Sequence, residues 1–133
     1  MHYIEEILEK LQDSYPVYIG RKSLDTLMCF ISGYELAVQE IMGEDTDYFF
    51  RVTVFVHQKY GIIPSPSKNW VTLLTERAGS DEAAFDLFYE LRDEMKQADY
   101  VSKPREELEN AFEEMIHAGL QAMIAEPTGG GER

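Results

Sequence analysis

The chain has 133 residues, of which 44% are apolar and 12% aromatic, with a single cysteine and a formal net charge of −13. That composition supports one domain with its own core and excludes a disordered chain, an internal disulfide and a membrane-spanning segment. Twenty-five carboxylates against twelve Lys and Arg argue against nucleic acid and anionic membranes as partners, and favour a basic protein.

The opening MHYIEEILEKLQ carries acids where an export signal carries cations and an apolar stretch, so a cytoplasmic chain is expected. Ile4, Ile7, Leu8 and Leu11 stand at helical spacing and predict a first amphipathic helix over residues 3–12. Pro16 disfavours helix at Tyr15, so this helix should stop before it and leave PVYIG extended or turn-like. Ser23 is a good cap for a second helix, with Asp25 in its first turn and Gly43 at its end. Its apolar set is Leu24, Leu27, Met28, Ile31, Tyr34, Leu36 and Ile41, and Gly33 marks an expected close crossing with another helix. Cys29, set among apolar neighbours, reads as a small core residue.

Residues 46–60 fit both strand and helix. Valines favour a strand, whereas Phe49, Val52, Val56 and Tyr60 share one helical face. Their length, with Asp45 or Thr46 as cap and Gly61 as stop, favours a helix. Pro64 and Pro66 force a loop, after which Trp70, Leu73 and Leu74 form the inner side of a short helix ending at Gly79. Ser80 caps the clearest helix in the chain, with Phe85, Phe88, Leu91 and Met95 on one face, although periodicity alone leaves open whether that face is core or a dimer seam. A last helix spans residues 103–125 with Leu108, Phe112, Met115, Ile116, Leu120 and Met123 as its apolar set, and PTGGGER closes the chain as a flexible tail. The expected fold is all-α: about six helices in one domain over residues 1–126, with 127–133 as tail.

The motifs that suggest chemistry have structural readings. Gly20-Arg21-Lys22-Ser23 lacks the glycine spacing and preceding strand of a phosphate-binding loop. It reads instead as a turn at Gly20 and a cap at Ser23, with Arg21 and Lys22 placed to pair with acids. Glu114 and His117 have the Glu-x-x-His spacing of di-iron bundles, but a second such motif is missing. No metal, cofactor or catalytic residue is therefore expected. Between Glu76 and Glu126 lie fourteen acids and five bases, so most of the excess negative charge belongs to the last two-fifths of the chain.

YIGRKSL at 18–24, LMCFISGYELA at 27–37, NWVTLL at 69–74 and DEAAFDLFYELRDE at 81–94 together resemble small bacterial proteins found beside polymorphic toxin and contact-dependent growth inhibition genes. The resemblance covers residues 15–96 and implies an immunity protein that binds and neutralises a cognate toxin domain. With the charge, it points to occlusion of a nuclease's basic cleft by an acidic helical surface. The expected contacts are Asp81, Glu82, Asp86, Asp93 and Glu94 on one helix and Glu106, Glu107, Glu109, Glu113 and Glu114 on the next. The competing classes are a helical adaptor for some other basic protein and an enzyme with a carboxylate metal site at Glu114 and His117. The sequence leaves oligomeric state open.

Overall fold

Three of the six helices begin where the sequence supplies a capping side chain. In the computed structural model, which describes residues 2–43 and 47–125, six helices follow one another: α1 His2–Tyr18, α2 Leu24–Met42, α3 Tyr48–Tyr60, α4 Trp70–Ala78, α5 Asp81–Gln97 and α6 Arg105–Ala125. A 3-10 turn, Tyr100–Ser102, joins α5 to α6, and no strand occurs among the described residues. Ser23, Asn69 and Ser80 accept hydrogen bonds from the Thr26, Thr72 and Ala83 amides at 3.0, 2.9 and 3.0 Å, which satisfies otherwise orphaned donors at the starts of α2, α4 and α5. The chain is a single all-α domain. The expected tail at 127–133 and the caps Asp45 and Thr46 lie outside the described residues.

Helix α1 corrects the expected stop before Pro16. The chain leaves helical angles at Ser14 (φ −99°, ψ 17°) and then resumes a helical turn through Tyr18. A proline ring crowds the carbonyl four residues back and has no N–H to give it, so a break is required. By breaking at Ser14, the chain places Pro16 in the first turn of the resumed segment, where a missing donor costs little. The Ile19 amide then bonds the Tyr15 carbonyl at 2.8 Å, and Gly20 turns the chain at φ +82°.

The core gathers Ile4, Leu8 and Leu11 of α1, Leu24, Leu27 and Ile31 of α2, and Phe85, Phe88, Leu91 and Met95 of α5, all essentially without exposure. The Phe85 face is thus core. Trp70 is also buried; it stacks on Phe49 with centroids 5.7 Å apart and lies 5.4 Å from Phe88, tying α3, α4 and α5 together. Segment 48–60 is helical, and its double pattern has a physical cause. Tyr48, Val52, Val54 and Val56 are all buried, so α3 is covered on several sides and shows no single apolar stripe.

Four expectations for α2 and α6 are overturned. Cys29 is exposed, because the inward track of α2 is Leu24, Leu27, Ile31 and Val38, and Cys29 falls off that track. Leu36 and Ile41 face outward for the same reason, with 56% and 82% of their surface exposed. Gly33 is exposed, and a side chain there would meet nothing within 4 Å. The close approach is at Gly119 of α6, where a Cβ would stand 2.6 Å from Ile63 Cγ2. On α6, Leu108 is buried and Phe112 and Met115 are half-buried, whereas Ile116, Leu120 and Met123 are exposed.

Candidate partner-binding surface

Ser23 and Asp81 join the start of α2 to the start of α5. Ser23 is buried; its hydroxyl accepts from the Thr26 amide and donates to the Asp81 carboxylate, which also accepts from the Asp25 amide at 3.0 Å. One carboxylate thus caps a neighbouring helix as well as lying in the first turn of its own. Beside it Lys22 pairs with Asp86 at 2.8 Å. The glycine-cation-serine stretch is therefore a turn, an ion pair and a cap, as its sequence implied. Replacing Ser23 by alanine is expected to lower stability by about 1–2 kcal/mol, read from urea unfolding.

This joint has a pH signature. Burial alone pushes the Asp81 carboxyl up, but hydrogen bonds from Ser23 and the Asp25 and Leu24 amides outweigh it, and the net direction is below the ordinary value of 3.8. A depressed folded-state value stabilises the fold above 3.8 and loses that contribution as pH falls through the folded-state value. The thermal midpoint of the native chain should consequently fall more steeply than that of Asp81→Asn between about pH 4 and about pH 2.

The ten expected contact acids divide into two groups with different neighbours. Those of α5 sit on a helix packed on α2 and α4, while α6 packs chiefly on α3. Asp81 is committed to the α2 cap. Asp86 pairs with Lys22, Glu94 with Lys59 at 2.6 Å, Glu107 with Lys103 at 3.5 Å and Glu109 with Arg105 at 2.9 Å. Glu82, Asp93, Glu106, Glu113 and Glu114 are exposed and belong to none of the ion pairs among the described residues. Two acids escaped the sequence reading. Asp13 of α1 and Glu90 of α5 join Asp86 and Asp93 around a groove of about 540 Å³. Glu90 could have been found from its spacing to Asp86, whereas Asp13 enters only through the tertiary fold.

Most of the described cations, by contrast, have partners within the protein; Arg21 is exposed and, among the described residues, meets only the Thr26 hydroxyl, at 3.4 Å. Lys22, Arg51, Lys59, Lys68, Arg92, Lys96, Lys103 and Arg105 all have carboxylate partners, at 2.6 to 3.9 Å. Arg77 lies 3.8 Å from the Tyr60 ring centroid, and Lys10 approaches Tyr18. Two of these cations are buried. Arg92 binds Glu5 of α1 through Nε (3.1 Å) and Nη2 (2.9 Å), and Nη2 also donates to the Glu5 carbonyl. Arg51 binds both Asp47 oxygens and donates to the Lys103 carbonyl at 2.5 Å, which fixes the entry to α6. Asp47 stands at the cap position of α3 but makes no side-chain cap bond.

Buried His57 holds the turn after α3. Its Nδ1 lies 2.8 Å from the Ile62 carbonyl, which can only accept, so Nδ1 carries the proton. His57, Ile62, Ile63, Met115 and Ala118 line an open cavity of about 370 Å³ between this turn and α6. Glu114 and His117 are exposed on α6, and His117 Nε2 lies 3.4 Å from the Gln121 amide nitrogen. Among the described residues, no three His, Cys, Asp or Glu side chains gather as a metal site would need, and no helix is long and apolar enough to cross a membrane. Comparison of the chain with protein-family models, curated proteins and solved structures finds no match.

Proposed function

We propose that this chain is an immunity-type inhibitor that acts in the cytoplasm by binding rather than by turnover. It neutralises a cognate bacterial toxin domain of the nuclease class by covering the toxin's basic active site. The observation that carries the reading is the contrast between exposed carboxylates and absorbed cations. Glu106, Glu113 and Glu114 are exposed on α6 and belong to no ion pair among the described residues, while eight of the eleven described Lys and Arg side chains have a carboxylate partner. The net field is negative, and a nuclease must hold a positive one to bind phosphates. Such a pair associates quickly and with a defined register.

The test uses the toxin encoded by the adjacent gene. Co-purification should give a stoichiometric complex, and the complex should fail to cut nucleic acid. Raising salt from about 50 mM to about 500 mM should weaken association at least about tenfold, because exposed charges lose their reach. Changing Glu106, Glu107, Glu109, Glu113 and Glu114 to glutamine should have a similar effect. A complex indifferent to both manipulations, or no complex at all, would remove the reading.

A further inference from the structure

The outer side of α6 carries a stripe that the fold leaves unused. Leu108, Phe112, Met115 and Gly119 face the body of the protein. On the adjoining flank, Glu109, Glu113, Ile116, Leu120 and Met123 follow at alternating steps of four and three, the repeat with which one helix seats another. The first half of this stripe is acidic and the second half apolar. Ile116, Leu120 and Met123 are 38%, 52% and 69% exposed, so their exposure increases toward the end of the helix. Isolated exposed apolar residues are ordinary; three in helical register beside two carboxylates in the same register form a surface.

We infer that this stripe is the seat for one helix of a partner protein, with apolar side chains opposite Ile116, Leu120 and Met123 and lysines or arginines opposite Glu109 and Glu113. The charge pattern selects that occupant. A second copy in parallel would set Glu109 and Glu113 against themselves, and like charges repel. An antiparallel copy in full overlap would press the same carboxylates onto Leu120 and Met123, which strips water from a charge without pairing it, and one slid until only the apolar halves meet would leave Glu109 and Glu113 unused. A partner with segregated apolar and cationic halves engages the whole stripe. The Arg105–Glu109 pair is no obstacle, since both side chains are about half exposed and an incoming cation can replace Arg105.

The inference rests on the proposal that the chain binds a cationic protein, and it is tested separately. The probe is a fluorescent synthetic helical peptide of α6's length, with leucines at the four- and three-spaced positions of one half and lysines at those of the other. Anisotropy should show binding to the native chain, with at least about tenfold weaker binding for Leu120→Glu/Met123→Glu and for Glu109→Lys/Glu113→Lys. A peptide carrying glutamates in place of the lysines should recover affinity for the second variant. All four substitutions fall on exposed positions, and circular dichroism verifies that the fold is kept. Equal binding by native and variant chains, or absence of binding to the native chain, overturns the seat. So does a native dimer in sedimentation that Leu120→Glu abolishes, since a second copy would then be the occupant. If Leu120→Glu/Met123→Glu still neutralises the toxin, the seat falls and the inhibitor reading stands. If the native chain binds the peptide as described but protects against no toxin, the reverse holds.

Discussion

Replacing Arg92 by alanine is expected to destabilise the protein by about 3–5 kcal/mol, a large share of the roughly 5–15 kcal/mol that holds a domain of this size. The guanidinium is 2% exposed and connects α5 to α1 through the Glu5 carboxylate and carbonyl, with Glu9 3.6 Å away. Burial alone would lower its proton affinity, but the Glu5 and Glu9 carboxylates more than offset this and hold it charged. Alanine would leave a cavity and a partly shielded Glu5 carboxylate with no cation. The second effect is the larger, because an uncompensated charge loses its partner but does not regain full hydration. Arg92→Met/Glu5→Leu, which removes both charges and keeps the volume, should recover most of the loss. Urea unfolding would show a fall in midpoint for Arg92→Ala without a change in slope. Equal losses in the single and double variants would mean that packing, rather than charge, dominates at this position.

Trp70→Ala is expected to cost a comparable amount, about 3–5 kcal/mol, through the void left by a large side chain. Trp70 is 4% exposed, and its ring lies between Phe49 and Phe88, so α3 and α5 would lose contact with α4 together. Trp70→Phe should restore roughly half of the loss, since it keeps one ring in the stack. The same variants can be followed by the near-ultraviolet dichroism of the aromatic cluster. A loss below about 1 kcal/mol for Trp70→Ala would show that the site collapses around the smaller residue.

Much of the fold was legible because local signals agreed with one another. Ser80, the acids of the first turn and the Phe85–Phe88–Leu91–Met95 face all announce α5, and that helix lies where they place it. Legibility was weakest where burial came from more than one side, and failed where helical phase outweighed composition. Helix α3 is covered by several neighbours, which erases the one-sided pattern that periodicity detects. Cys29 has apolar neighbours in sequence but lies on the wrong side of α2, so composition misled where angular position would have served. Arg92 left one trace: it stands four residues after Phe88 and three before Met95, on a stripe otherwise apolar. Its partners Glu5 and Glu9 could not be read from sequence, because they lie on the opposite end of the chain and only tertiary packing brings them near.

The acids of α5 and α6 were legible as a charge excess but not as a geometry. Asp81 belongs to a cap that depends on Ser23, fifty-eight positions away, and nothing local to Asp81 indicates this. That the two groups of carboxylates have different neighbours likewise follows from packing, with α5 on α2 and α4 and α6 chiefly on α3.

Helix α6 keeps its two obligations on different side chains. One flank, with Leu108 and Gly119, together with the Arg51 clamp at its entry, anchors it to the domain. The other is exposed, and its ion pair, Arg105–Glu109, is half exposed, so mutations there are nearly silent for folding. Such a rod can exchange its outward residues one at a time while the architecture beneath it stays unchanged.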